Sequence, residues 1–410
     1  MSATSIPANH VLSGADNTGL HGLHAAPLLD RVTVLLLLGF VAAVQISIVV
    51  AQALLAATVL CWIVQLVRDR ERPAVPAFFW PIVAYSVASA LSVAFSLDPV
   101  TSFQPIKKLL LFVSVPLVYN LAKGRHASTA VDVILSVGAV SAAFGIVQYG
   151  IFEYDFLGQR PHGSLGHYMT YSGLLMLVVC AAVGRLVFGS RDRTWPALLL
   201  PALIVALAVT FTRSAWVGAC VGVSLLFVLK DFRLVALLPI VVAVFFAAAP
   251  EGIAQRMVST FDLHDPTSRD RVAMIRTGAA IIKDHPLMGV GPNMIERVYP
   301  QYRQPGAVAA VNVHLHNVPL QIAAERGLIT LAAWVWLVAS LLRSLVRVFR
   351  THTDRVLSAT ALAVVAAMLS AGLFEHNFGD SEFLMLFLIL VTLPFAALRD
   401  EGPPALPLRT

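Results

Sequence analysis

Charge is scarce in this chain. Only 13% of its 410 residues are Asp, Glu, Lys or Arg, 58% are hydrophobic, and the mean hydropathy is +0.79. Soluble domains run at about a quarter charged, so this supply cannot cover a water-facing surface, and a multi-pass membrane protein is the class that remains. Cysteine is nearly missing as well. Cys61, Cys180 and Cys220 all lie inside apolar runs, which points to neither a disulfide framework nor a zinc site and leaves small core hydrophobes. No HExxH and no visible internal repeat is present; the missing repeat weighs against the inverted-repeat plan of many transporters. The first 30 residues have no basic region followed by a short apolar core. They read as a disordered tail and not as a cleavable signal peptide. The net charge of +6 reflects arginines that fix topology and implies no nucleic-acid partner.

Long apolar runs are what the chain does contain. A membrane span takes about 20 apolar residues. Runs bounded by charges or Pro/Gly clusters fall at 76–96, 108–122, 128–150, 168–189, 195–211, 214–230, 233–249, 318–342, 356–375 and 382–398. The stretch 32–67 holds 36 residues with no formal charge, too long for one ordinary span, and it divides at its weakest apolar part, Gln45 to Gln52. The expected fold is an all-α polytopic membrane protein of about 12 transmembrane helices, with one large periplasmic loop containing short helices.

Charge asymmetry orients the spans. With the N-terminus in the cytoplasm, inside loops hold Arg68, Arg70, Arg72, Lys123, Arg125, Arg185, Arg191, Arg193, Lys230, Arg233, Arg343, Arg347, Arg350 and Arg355. Short outside loops hold only Lys107, Lys108, Arg160 and Arg213, which is the positive-inside pattern. The layout is then a cytoplasmic tail over 1–30, nine spans over 31–249, a periplasmic loop over 250–317, three spans over 318–398 and a cytoplasmic tail over 399–410. The loop carries Arg256, Arg269, Arg271, Arg276, Lys283, Arg297 and Arg303. Basic residues on that side call for a local reason, and an anionic partner is the simplest.

Seven of the twelve histidines also fall on that side. The stretch "NVHLHNVPLQ" places His314, His316 and Asn317 at the mouth of the tenth run. Asn317 suits the N-cap of that helix and Pro319 its first turn. The partial positive charge of a helix N-terminus disfavours imidazolium, so His316 is expected neutral at neutral pH, as a general base requires. A histidine there also serves as a simple cap or interface hydrogen bonder, and no third zinc ligand lies nearby. Arg213, in "TFTRSAWVGA", sits between two apolar runs, where a charge is costly unless it faces a polar cavity or snorkels to the headgroups. Arg160, His162 and His167 lie in a Gly/Pro-punctuated loop that leads into the sixth span. Residues 270–284 read as an amphipathic helix closed by Pro286. Arg269, Arg276 and Lys283 form one basic stripe. Arg271, Ile275, Gly278 and Ile282 form the opposite stripe, expected to face the protein. Gly289-Val290-Gly291-Pro292 follows a helix and lacks Lys-Ser/Thr, so it is no phosphate loop.

Together these stretches resemble the O-antigen ligase family, the polytopic membrane glycosyltransferases that include O-antigen polymerases and bacterial protein O-oligosaccharyltransferases. The family's hallmark is His-[Asn/Ser/Gln], nine residues, Gly, two residues, then Gly/Thr/Tyr. Here it reads His316-Asn317, nine residues, Gly327, Leu328-Ile329, Thr330. "RVAMIRTGAAIIKDHPLMGVGPN" looks like the family's Arg-led helix with its P-x-x-G-x-G end, placing the arginine on Arg271, although Arg269 and Arg276 flank it. "TRSAW" looks like its arginine turn at Arg213, and "RPHGSLGH" like its R-x-x-G segment at Arg160.

The resemblance implies transfer of a glycan from undecaprenyl diphosphate to a sugar hydroxyl of lipid A–core. It places the site on the periplasmic face of the bacterial inner membrane, among inner-membrane lipids, with no cofactor and no metal. His316, Arg213 and Arg271 would be catalytic. Arg160, Arg269, Arg276, His314, Asn317 and His167 would bind substrate. No Asp-x-Asp cluster stands on the outside loops, and arginine forks can neutralise a diphosphate leaving group instead. Direct attack would invert the anomeric centre, and no well-placed carboxylate argues for a covalent route. The same motifs fit an O-antigen polymerase or a protein O-oligosaccharyltransferase; the latter often carries an added soluble domain, whereas about 30 residues precede the first run here. A transporter or flippase for anionic lipids would also explain basic loops, but it predicts charges in mid-span, and the runs carry almost none away from their ends.

Overall fold

A computed structural model describes residues 27–189, 193–239, 243 and 266–400. Among the described residues the protein is helical, with one isolated bridge between Phe156 and Gln159 and no strand. The expected run 233–249 lies mostly outside the described residues. So do most of the N-terminal tail, Arg256 and the C-terminal tail. The first helices are α1 (Leu28–Ala43), α2 (Ile48–Asp69), α3 (Phe79–Ala94) and the short α4 (Pro99–Phe103); α5 (Ser114–Leu121), α6 (Arg125–Gly150) and α7 (Tyr168–Phe188) follow. Next come α8 (Thr194–Val209), α9 (Arg213–Lys230), α10 (Pro266–Asp284), α11 (Ile295–Tyr302), α12 (Val318–Thr351), α13 (Val356–Ala371) and α14 (Ser381–Ala397).

The uncharged stretch 32–67 forms two helices, with the break at 44–47, where Gln45 turns inward and donates to the Ile134 carbonyl at 3.1 Å. The run 108–122 is less regular than expected. Residues 104–113 wind as a 3₁₀ helix before α5 begins, and Pro116, in the first turn of α5, has no N–H to give the Phe112 carbonyl. Helices α2, α6, α7, α9 and α12 are long and apolar enough to cross a membrane, while α3, α8, α13 and α14 are apolar but shorter. The chain thus has the make-up of a polytopic membrane protein.

Helices α7, α13 and α14 form the centre, buried along nearly their whole length. Helix α9 lies against both α7 and α13. Its Gly218 and Gly222, four residues apart, leave no room for a Cβ between the sulfurs of Met176 and Cys180 and the carbonyls of Ala367 and Ala363. Small residues at this spacing let helix backbones approach closely without help from a hydrophobic effect. The close seam holds the first residue of α9, Arg213, beside the exit of α13.

Polar contacts sort to the two ends of the bundle. At one end Arg68 pairs with Asp30 at 2.9 Å, Asn120 bonds the backbone of Ala74, and Arg399 reaches Asn120 at 2.7 Å. At the other, Lys108 donates to the Gly379 carbonyl, Ser164 to Ile46, and Asn317 to Leu373. All the residues discussed next belong to this second end.

Candidate active site between two cavities

His316 has a left-handed backbone, φ 47°, which is strained for a residue with a side chain. Four bonds hold it there. The Leu315 N–H donates to the buried Gln321 side chain at 2.7 Å, and Asn317 Nδ2 donates to the Leu373 carbonyl at 3.0 Å. The Val318 N–H donates to the Gly372 carbonyl at 2.7 Å, and the Leu320 N–H to Asn317 Oδ1 at 2.9 Å. The last is the expected N-cap. The loop before α12 is therefore clamped to the exit of α13.

That clamp puts His316 against a residue with no place in the expected site. His316 Nδ1 and Glu375 Oε1 are 2.9 Å apart, and Glu375 Oε1 also accepts from the His376 N–H. Burial alone lowers the His316 pKa, but the hydrogen bond and charge of Glu375 outweigh it and the net shift is upward. Burial likewise raises the Glu375 carboxyl, and the bond from His316 with its charge carries the net shift downward. The direction is opposite to the one expected from the helix N-terminus alone. A carboxylate in direct contact outweighs the partial charge of a helix end. With Nδ1–H given to Glu375, the lone pair for proton transfer sits on Nε2.

His316 lines two cavities. The first, of about 410 Å³, also takes in Arg213 and Ser214 from α9, Ser268 and Arg271 from α10, and Asn317. Its other walls are apolar: Val217, Val272, Ile275, Leu315, Leu373 and Phe374. Arg213 is only 5% exposed and adds a full charge to the partial positive charge of the start of α9. Arg271 is half-buried, its guanidinium 5.9 Å from the centre of the Phe374 ring. The stripe expected to face the protein is split: Gly278 and Ile282 pack against it, and Arg271 and Ile275 open onto the cavity. Ala273, Met274, Thr277 and Ile281 are buried, while Arg271 and Ile275 line the cavity. Asp270 holds α10 in this phase by accepting from the N–H groups of Val308 and Ala309.

The structure does not bring every expected arginine here. Arg269 and Arg276 are exposed on α10 and line neither cavity, because seven-residue spacing sets them on a different face from Arg271. Arg160 lies next to the cavity and not in it. Its guanidinium stands 4.3 Å over the Tyr168 ring and donates to the Leu157 carbonyl. Burial lowers its pKa, Tyr168 opposes this, and the nearby charge of Arg213 lowers it further.

The second cavity, of about 560 Å³, is polar and carries both signs of charge. Around His316 and Glu375 stand Lys108, His167, Thr170, His314, His376 and Asp380. His167 caps α7 by accepting from the Met169 N–H and stacks on Tyr168. The rings of His314 and His376 lie 4.8 Å apart. Burial, with the charges of His316 and Lys108, pushes His314 down to about 4, and burial with the charge of His314 holds His376 well below its ordinary value. Both are neutral at neutral pH. Asp380 accepts from the Thr170 hydroxyl and from the Phe383 N–H. No group of three His, Cys, Asp or Glu side chains is disposed to hold a metal among the described residues.

Residues 197–335 match the family model described as O-antigen ligase. Over this segment, about a third of its length, the chain matches the O-antigen ligase family. No curated protein matches the chain. The O-antigen ligase segment contains Arg213, Arg271, His316, Gly327 and Thr330, and leaves out Arg160 and Glu375.

The spacing of the O-antigen ligase motif has a structural cause. Helix α12 breaks at Gly327, whose φ of 81° and ψ of 171° are open only to glycine. The break frees three carbonyls at the end of the first arm, and each finds a donor. Ala324 and Glu325 accept from the N–H groups of Val290 and Gly291 at 3.0 and 2.8 Å. Arg326 accepts from the Thr330 hydroxyl at 2.8 Å. The Leu328 N–H in turn donates to the Pro286 carbonyl. A Cβ on Gly289 would strike the backbone of Glu325, and one on Gly327 the Leu287 carbonyl. The glycine loop after α10 therefore serves as a strap on the broken helix. Glu325 and Arg326 sit mid-arm, where the sequence was read as nearly free of charge. They are held by the Asn293 N–H, at 2.9 Å, and by the Tyr85 hydroxyl, at 3.2 Å.

Glu375 escaped the sequence reading because it closes an apolar run and belongs to no motif of the O-antigen ligase segment. One signal was available: "EHN" at 375–377 repeats the His-Asn pair of 316–317 directly behind an acidic residue.

Proposed function

We propose that the protein is an O-antigen ligase. It moves a glycan from undecaprenyl diphosphate to a sugar hydroxyl of lipid A–core, on the periplasmic face of the inner membrane, with inversion and without a metal. Its family implies ligase- or polymerase-type transfer from lipid-linked glycans. One observation carries the finer reading: His316 is the wall between a cationic, partly apolar cavity and a polar cavity of mixed charge.

A lipid diphosphate matches the first cavity, where two guanidinium groups meet apolar walls. A sugar matches the second, whose imidazoles, hydroxyl and carboxylates exchange hydrogen bonds with hydroxyl groups. The acceptor O–H and the anomeric carbon of the donor then meet at the edge of the His316 ring, where the two cavities adjoin. Nε2 of His316 takes the hydroxyl proton as the oxygen bonds to the anomeric carbon. The carbon–oxygen bond to the diphosphate breaks and its electron pair stays on the phosphate oxygen. Arg213 and Arg271 stabilise that charge, and fixed charges in a dry site are usually the largest catalytic contribution. Glu375 holds the ring in one tautomer and steadies the imidazolium that forms. Arg160 supports the field beside Arg213 without touching the cavity.

The test is glycan transfer with purified protein, lipid-linked glycan and lipid A–core in EDTA. Modified lipid A–core supports the ligase. Lengthening of the lipid-linked glycan instead makes the protein a polymerase. Loss of all transfer in EDTA, with rescue by a divalent cation, overturns the metal-free mechanism.

A further inference from the structure

Beside the arginine cavity lies another opening that the chemistry above does not use. It measures about 430 Å³ and sits in the crook of the broken helix, between the two arms of α12 and the last turns of α13. Val318 and Pro319 line it from the first arm, Trp334 from the second, and Ala366, Leu369 and Leu373 from α13 and its exit. Its one hydroxyl, on Ser370, is already donated to the carbonyls of Ala366 and Ala367. Water entering such a groove finds almost no partner, whereas a hydrocarbon chain needs none.

What links this groove to the reaction is Leu373. It is 52% exposed and lines both the groove and the arginine cavity. A lipid diphosphate carries its charge and its first apolar carbons on adjoining bonds. A site for one must therefore set cations and an open apolar channel side by side, and these two cavities share Leu373 in their linings.

We propose that the groove between α12 and α13 holds the first isoprene units of the donor's polyprenyl tail and makes the enzyme select donors by their lipid. This rests on the reading of the donor as a lipid diphosphate. The break at Gly327 is what opens the groove, so one feature places His316 on the glycan and shapes a seat for the lipid.

The test compares donors that carry the same glycan diphosphate on a full-length polyprenyl chain or on two isoprene units. Ala366→Trp and Leu369→Trp fill the groove, and Val140→Trp, at a position 71% exposed on α6, is the control. The expected result is a KM for the long donor raised about tenfold in the two groove variants, with kcat held and the short donor unaffected. Long and short donors shifting together, or Val140→Trp giving the same change, overturns the proposal. A second measurement needs no turnover. A polyprenyl diphosphate with a photoreactive group in its first isoprene unit is crosslinked to the purified protein and the peptides are mapped. Crosslinks to 318–334 and 366–373 that are lost in Arg271→Ala support the groove. Crosslinks that persist in that variant, or that a photoreactive phospholipid gives equally, assign it to any membrane chain and overturn the proposal. Wild-type protein that transfers no glycan defeats the transferase reading, and the crosslink still decides the groove.

Discussion

The two cavities that meet at His316 differ in almost everything except that wall. One has Arg213 and Arg271, no carboxylate and a lining that is half apolar. The other has Glu375 and Asp380 against Lys108, with His167, His314 and His376 around them. On the proposed function, the first takes a concentrated negative charge on an oily carrier and the second a neutral, hydroxyl-rich partner. A general base belongs on such a boundary, because it must face the nucleophile while the leaving charge develops on the opposite side. The contrast also separates the arginines. Of Arg269, Arg271 and Arg276, Arg271 alone lines one of these two cavities, a distinction the spacing of the sequence leaves open.

The comparison can be broken at five points, and the largest effect is expected at the wall itself. His316→Ala should lower transfer by about 100- to 10,000-fold with the fold intact, read from initial rates beside circular dichroism. Next comes the cationic side. Arg271→Ala and Arg213→Ala should each cost about 100- to 1,000-fold in kcat, and lysine should restore only part, since it keeps the charge and loses the fork.

The third effect is in pH dependence. Glu375 raises the His316 pKa, so wild-type activity should climb with pH as His316 loses its proton. Glu375→Gln removes the raising contact. Its rising limb should move to lower pH while its plateau falls, and a limb that stays in place would remove Glu375 from the mechanism. The same pair sets a stability window. The contribution of His316, whose pKa is raised on folding, is lost as pH rises through that pKa; that of Glu375, whose pKa is lowered, is lost as pH falls through its own. Glu375→Gln should therefore cost most stability between the two.

A smaller change is expected on the polar side. Asp380→Asn keeps the cap of α14 and should raise the KM for the acceptor roughly fivefold, leaving the KM for the donor alone. The smallest belongs to α10. Arg269→Ala and Arg276→Ala should leave rates within about twofold, and a large loss from either would mean that α10 is turned by a helical face.

Much of this was legible in the sequence. Long uncharged runs dictate membrane helices, and the weak apolar part after Gln45 does mark the turn between α1 and α2. Asn317 and Pro319 announce the start of α12, and the motif residues Arg213, Arg271 and His316 do converge. What was hidden depends on contacts between distant segments. Glu375 comes to His316 only because α13 and α12 are clamped through Gly372 and Leu373. Period alone could not tell that Arg271 and Ile275 would face a cavity while Thr277 and Ile281 face the core. Glu325 and Arg326 pass for helix interior until the break beside them is seen, since a glycine within an apolar run looks like any other small residue.

The break has one more consequence. From His316 to Gly327 is about three helical turns, so the first arm of α12 works as a ruler with a fixed phase. Its near end carries the reactive ring, and its far end is latched by the loop that follows α10, the helix of Arg271. Inserting one residue in the arm would turn the ring by about 100° about the helix axis while the latch stayed put. The number of residues between Asn317 and Gly327, nine, therefore sets the angle between ring and latch.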